Sequence, residues 1–310
     1  MKKCEFHVVD VFAVDAFKGN PVMIVVPNDV LDDRRMQAFS SWNGMPETVF
    51  LTRGTDLDEG DYSVRIFSPR GELGFAGHPS LGAAHVVVER GWVTSPTYAP
   101  ADARFGDGAC SAMTLAQRCK VGMVETRVLR SQDGGVRAFV KTPAAGEVYA
   151  LPGQVAHDVS VRLSSAPDAR AYQVRAGANW IVVKLPDPTA LQALVPDLQA
   201  IEEMSLSLSV SGITAYAPIP NHPTDLFEVR SFGPAIGVPE DAICGGGNAC
   251  VAVLETYLAE SPRTTCGGYQ TRQGRFIGRD GRAQLVGPVE GGRYWVGGTT
   301  KTVMQGSVSL

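Results

Sequence analysis

One weak internal echo limits what this chain can fold into more than any other feature. "RIFSP" at 65–69 returns as "RSFGP" at 230–234, 165 residues later. Each copy leads into a glycine-rich loop that carries an acid. Each loop leads into an apolar segment of small residues, "SLGAAHVVVE" in the first half and "NACVAVLETYL" in the second. With Gly77 set opposite Gly245, the halves match apart from about three residues of loop. A repeated strand, loop and helix implies two similar lobes, each a strand layer packed on one apolar helix.

The rest of the chain fits that frame. Strand-like runs outnumber helical ones: "FHVVDVFA", "VMIVVP", "ETVFLTR", "YSVRIFSP", "MVETRVLR", "VRAFVKTP", "AYQVRAGANWIVVKLP", "ITAYAPIP" and "LFEVRSFGP". "DDRRMQAFSSWNG" reads as a helix with Asp32 or Asp33 at its start and Gly44 past its end. "PTALQALVPDLQAIEEMS" carries helical spacing, and Gly91 closes the helix after Ser80. Asp280-Gly281 is a good hairpin pair within the closing strands "RFIGRDGRAQLVGP" and "RYWVGGTTKTVMQGSVSL". No regular βαβ rhythm is present, which argues for an α+β fold and against a doubly wound sheet. Residues 92–118 are poorly patterned and read as a hinge. The expected lobes are therefore 1–118, joined by a closing strand at 296–310, and 119–295.

Composition narrows the function. A net charge of −4 without a basic run gives no reason to expect nucleic acid. No apolar stretch approaches the roughly 20 residues of a membrane span. Glu5, His7, Asp10 and Asp15 interrupt the first segment, unlike a signal peptide, so the reading is a cytoplasmic protein. Six cysteines, Cys4, Cys110, Cys119, Cys244, Cys250 and Cys266, form no Cys-x-x-Cys pair and no zinc pattern. No metal, nicotinamide or pyridoxal site is visible.

The glycine loops have two readings. Either they simply turn sharply, or they bring ligands onto helix N-termini, where unpaired N–H groups and the helix dipole favour anions. The second reading implies a small carboxylate-bearing substrate. Pro79 suits a first helical turn. No Lys-Ser/Thr follows the glycines, which excludes a Walker-type phosphate loop.

These segments together resemble the phenazine-biosynthesis PhzF-like family, a relative of diaminopimelate epimerases. "VDVFAVDAFKGNP", "WNGMPETVF", "FAGHPSLGAA", "GVPEDAICGGGNA" and "VGGTTKTVMQGSVSL" follow the family's motifs in order over nearly the whole chain. The resemblance implies two pseudo-symmetric lobes, each a curved, mostly antiparallel sheet wrapped around a central helix, with the active site in a cleft between them. It implies cofactor-independent proton transfer and a homodimer.

By position, Glu47 takes the place of the family's catalytic carboxylate, and His78 and Asp241 match its other polar site residues. Gly77 and Gly245 match glycines that face the substrate, and Gly246 joins them as an amide donor. Glu240 reads as solvated. Three positions depart from the pattern: Ala242 stands for Pro, Cys244 for Thr and Gly246 for Ser. The last removes a hydroxyl that would help hold or protonate the ligand. Cys244 sits where the epimerase relatives carry a catalytic thiol, but their first-half cysteine falls at Ala76.

Cys244 is thus either a second catalytic group or a small replacement for Thr. The leading reading is an isomerase that moves a proton or double bond in a small amino- or hydroxy-carboxylic acid, in specialised-metabolite biosynthesis. The alternatives are an amino-acid epimerase using Cys244 with Glu47, and a non-catalytic carboxylate binder.

Overall fold

The computed structural model describes residues 3–54, 60–93, 98–99, 103–105, 109–165, 170–220, 222, 226–259 and 268–310. The chain divides into two compact units, Met1–Lys141 with Gly297–Leu310, and Thr142–Val296.

The first unit contains β1 (Lys3–Val11), β2 (Asn20–Val26), α1 (Asp33–Trp42), β3 (Thr48–Arg53), β4 (Tyr62–Ser68), β5 (Gly71–Leu73), α2 (Gly77–Glu89), β6 (Tyr98–Ala99), β7 (Ala109–Cys119), β8 (Gly122–Ser131) and β9 (Val136–Lys141). Its ladders run β1–β2 antiparallel, β2–β3 parallel, β3–β4 antiparallel, β4–β7 parallel and β7–β8 antiparallel. The two parallel steps are crossovers that contain α1 and α2, as parallel neighbours require.

Local chemistry sets the helix ends. Asp32 caps α1, its carboxylate accepting the Arg35 N–H at 2.8 Å, and Gly44 takes φ +74° just beyond. In α2 every side chain from His78 to Val88 is buried, as expected of a helix apolar on all sides. It packs against β1, β2, β3, β4, β8 and β9. Gly82 allows that closeness: a Cβ there would stand 2.5 Å from Val22 Cγ1. A second cluster, including Met23, Met36, Phe39, Phe50, Phe67 and Leu310, lies beneath α1.

The second unit contains β10 (Glu147–Ala150), α3 (Gly153–Leu163), β11 (Ala171–Arg175), β12 (Asn179–Lys184), α4 (Pro188–Gln192), α5 (Leu198–Leu208), β13 (Ile213–Pro218), β14 (Leu226–Phe232), α6 (Gly245–Leu258), β15 (Tyr269–Gln273) and β16 (Gly281–Val289). After β10–β11, its ladders run β11–β12 antiparallel, β12–β13 parallel, β13–β14 antiparallel, β14–β15 parallel and β15–β16 antiparallel. α6 packs against β10, β11, β12, β13 and β16. A separate apolar layer joins Val159 and Leu163 of α3 to Ile201 and Met204 of α5, with Ile181, Ile213 and Phe232 from the strands. The closing strand β17 (Arg293–Ser309) begins in this unit and pairs antiparallel with β1 from Thr300 onward.

Several expectations change. The units divide after Lys141, not at 118. The segment read as a hinge contains most of β7, which pairs with β4 and forms a long hairpin with β8, itself paired with β9. Those ladders keep residues up to 141 with the first unit. The single helix expected over 188–205 is two, because Pro196 interrupts it and Asp197 caps a new start by accepting the Ala200 N–H.

"AYQVRAGANWIVVKLP" is a hairpin turning at Gly177, φ +87°, and α3 lies in a stretch that reading left without an element. Asp280-Gly281 is not a tight turn. "YQTRQ", rather than "RFIGR", pairs with β16 across a loop, and the Asp280 carboxylate binds Arg272 and Arg282. Cys4, Cys119, Cys244 and Cys250 are buried and none is in a disulfide; Cys266 and the Cys110 side chain lie outside the described residues.

Candidate functional site

The candidate residues fall into two groups, one at the start of α2 and one at the start of α6. Glu47 is the last residue before β3, and its carbonyl accepts the Met23 N–H from β2. Asn43 shapes the turn that presents it. The Asn43 side chain donates to Thr48 Oγ1 at 2.8 Å, and its Oδ1 accepts the Met45 N–H at 2.8 Å. Asn43 thus explains the spacing of the Asn-x-x-x-Glu-Thr segment: its amide holds both sides of the bend.

His78 lies in the first turn of α2, directly after Gly77, with Ala76 in extended backbone as the cap residue. Its Nε2 is 3.2 Å from Glu47 Oε2, and both side chains are about nine-tenths buried. The approach is close without the alignment of a hydrogen bond. The ring donates to the Pro21 carbonyl, while burial pushes its pKa down to about 3. His78 is therefore a neutral imidazole near neutral pH. With one nitrogen donating to Pro21, Nε2 presents a lone pair toward the Glu47 carboxyl.

The second group is built by hydrogen bonds that sequence reading did not reveal. Cys244 caps α6: its sulfur accepts the Gly247 N–H at 3.2 Å. Gln273, from β15, accepts the Cys244 N–H at 3.3 Å and the Asn248 amide at 2.8 Å. Its own amide donates to the Asp241 carbonyl at 2.9 Å. Asn248 also donates to the Cys244 carbonyl at 2.7 Å. Gln273 and Asn248 are almost fully buried. Together they fix the loop that carries Asp241, Cys244 and Gly245. The Asp241 carboxylate accepts the Ile243 N–H at 3.2 Å, and its own N–H donates to the Ser231 carbonyl.

Glycine at 247 is a packing requirement, since a Cβ there would lie 2.5 Å from Thr214 Oγ1 and 2.9 Å from Ser231 Oγ. Glu240 is not solvated. It forms a two-point ion pair with the buried Arg230, at 3.0 and 2.9 Å, and Arg230 stacks over Phe232 and Phe276. The Arg in "RSFGP" therefore anchors the loop through Glu240. In "RIFSP", Arg65 makes the comparable pairs with Glu72 and Asp33.

The structure thus brings Glu47 together with His78, and Asp241 together with Cys244, Gly245 and Gly246. Gln273 went unnoticed because an amide far from a motif gives no local signal, and Asn43 and Asn248, though inside quoted motifs, gave no sign of the bonds they make. Among the described residues no group of His, Cys, Asp and Glu is arranged to hold a metal ion. Among the described residues no helix is long and apolar enough to cross a membrane.

Comparison with known proteins gives one consistent answer. The sequence model described as "Phenazine biosynthesis-like protein" (PhzC-PhzF) matches residues 9–306. A protein of Schizosaccharomyces pombe named antisense-enhancing sequence 1 is 30% identical, with 99% of each chain covered. The trans-2,3-dihydro-3-hydroxyanthranilate isomerase of Pseudomonas aeruginosa is 30% identical over 89% of this chain and 88% of its own. A PhzF-family crystal structure from Bacillus anthracis superposes with a TM-score of 0.78 at 18% identity, covering 100% of both chains. That likeness establishes the mixed fold of many strands and few helices.

Proposed function

The chain belongs to the phenazine biosynthesis-like family, and from that premise we propose an isomerase that moves a proton, and with it a double bond, in a small amino- or hydroxy-carboxylic acid. Glu47 takes a proton from an allylic carbon. The electrons of that C–H bond form a new C=C, and the former C=C takes the same proton at its far carbon. Atoms and charge balance without a co-reactant. In the second unit Gly245 and Gly246 offer backbone amides to a carboxylate and Asp241 a carboxylate to an amine, and in the first unit Gly77 offers its amide next to His78. By the chemistry in the Pseudomonas aeruginosa relative's name, a cyclic unsaturated amino acid is a suitable first substrate.

One observation carries this reading: the buried Glu47 carboxyl lies 3.2 Å from an imidazole that burial keeps neutral. A base shielded from bulk water keeps the proton it takes long enough to return it. The duplicated two-lobed architecture belongs to the same proposal. It is supported by the ladder signs, which alternate in the same order in each unit, and by α2 and α6, both buried nearly all round. The altered loop at Ala242, Cys244 and Gly246 supports a substrate that differs from the family's usual one, and so a specialised-metabolite role.

The test is exchange in D2O with dihydro-3-hydroxyanthranilate and a panel of small amino and hydroxy acids, followed by NMR. The expected outcome is conversion to the double-bond isomer with the substrate's own hydrogen, rather than solvent deuterium, at the new sp3 carbon in the wild-type protein, and no conversion with Glu47→Gln. Turnover by Glu47→Gln at the wild-type rate sinks the mechanism. Deuterium at the α-carbon with loss of stereochemistry, abolished also by Cys244→Ala, identifies the epimerase instead. Tight binding with neither turnover nor exchange identifies a carboxylate binder.

A further inference from the structure

Trp180 is a buried residue that the reaction above does not use. It lies on β12, where it pairs with Val174, and it is 2% exposed. Its ring is held edge-on between two glycines. A Cβ on Gly233 would stand 3.3 Å from Trp180 Cη2, and a Cβ on Gly246 would stand 3.3 Å from Trp180 Nε1. The indole nitrogen therefore lies against the first turn of α6. Among the described residues it has no hydrogen-bond partner. A buried indole N–H ordinarily finds an acceptor, because leaving it unmade costs free energy that packing alone does not return.

Around it, the amides of α6 are partly assigned. Gly247 N–H goes to the Cys244 sulfur and Asn248 N–H to the Cys244 carbonyl. The first-turn amides left to a ligand are those of Gly245 and Gly246. Gly246 is also the partly exposed member of the glycine run, whereas Gly245 and Gly247 are buried. The place a side chain would occupy at 246 lies 3.1 Å from Ala178 Cβ and 3.3 Å from Trp180 Nε1. A Cβ there would crowd the indole nitrogen, so glycine at 246 keeps the first-turn backbone open beside the indole.

We propose that the Trp180 indole N–H is a substrate donor at this helix start, hydrogen-bonding a carboxylate oxygen bound against the Gly246 backbone. It takes over the task of the hydroxyl that Gly246 lacks. Gly246 must then be glycine, since a Cβ would crowd both the indole nitrogen and the bound oxygen. The inference rests on the reading that the α6 start receives a carboxylate. Its own content is that Trp180 selects and orients that group.

The experiment follows the indole and backbone N–H resonances of the ¹⁵N-labelled full chain during titration with 3-hydroxyanthranilate. 2-Aminophenol, which lacks the carboxylate, is the control. The indole signal lost in Trp180→Phe identifies Trp180 among the four tryptophans, which also include Trp42, Trp92 and Trp295. The expected result is a downfield shift of that signal with 3-hydroxyanthranilate and not with 2-aminophenol. Trp180→Phe should weaken binding about tenfold, as for a lost hydrogen bond to a charged group. Gly246→Ala, which leaves the indole in place and so guards against a misfolded Trp180→Phe, should weaken it at least as much.

If the probe binds and shifts the Gly245 and Gly246 amides while the Trp180 indole stays still, the Trp180 assignment is wrong and the carboxylate reading stands. If none of the three signals moves, the carboxylate reading falls and the inference with it.

Discussion

The starts of α2 and α6 follow similar glycine-bearing loops, yet they are finished differently. At α2 the chain supplies titratable groups: the Glu47 carboxyl from one segment against a neutral imidazole on the helix, with no side-chain cap among the described residues. At α6 it supplies order: a sulfur cap, two buried amide side chains and an ion-paired loop. Proton transfer needs a group that can change charge, whereas holding a carboxylate needs amides that do not move. The comparison teaches that matching backbone motifs leave the division of labour to side chains from elsewhere in each unit.

The largest test of that division is at Glu47. Glu47→Gln should lower kcat by about 10³-fold, within the range for loss of a positioned acid/base, with the melting temperature nearly unchanged. Gln273→Leu should do the reverse. It strands the Cys244 N–H and the Asn248 amide in a buried setting, which costs about 1–3 kcal/mol, and should lower the melting temperature by several degrees. A Gln273→Leu protein as stable as wild type would break the comparison.

Next in size are the two packing glycines. Gly82→Ala and Gly247→Ala each place a Cβ 2.5 Å from a neighbour on a strand, and each should cost about 1–3 kcal/mol by overpacking. Denaturant midpoints will show whether both units are equally tight around their helix.

His78 provides a pH test confined to the α2 start. Its pKa is about 3 when folded against an ordinary value near 6.5. Between those values the unfolded chain holds a proton that the folded chain does not. Stability should be complete above about pH 6.5 and fall as pH drops toward 3, by at most about 1.4 kcal/mol per unit from this group. Urea midpoints for His78→Gln should show a shallower slope over that window. The smallest effect is expected for Cys244→Ala, which removes a cap and should cost about 1 kcal/mol, measured by the same unfolding curves. Cys244→Ser should recover most of it if the sulfur's task is capping.

Much of the fold was legible because its signals are local. Asp32 before an amphipathic run and Gly44 after it delimit α1 without help from the rest of the chain. The apolar small-residue runs marked α2 and α6 for the same reason. β7 was not legible: it follows a stretch full of glycine and proline, and its identity as a strand comes from pairing with β4 and β8. At the candidate site, Glu47 and His78 were visible only through motif resemblance. Glu240 looked like a surface acid until Arg230 was found beside it.

By itself, then, the sequence determined the short echo, the cap of α1, the family and the list of candidate residues, since each depends on neighbours along the chain or on motif order. Tertiary structure alone decided that Glu47 faces His78, that Gln273 ties down Cys244, and that the Trp180 indole lies against Gly246. Those meetings depend on strand register and on how deeply each helix sinks into its sheet. Both are set by the summed packing of many distant residues, and no short stretch of sequence encodes them.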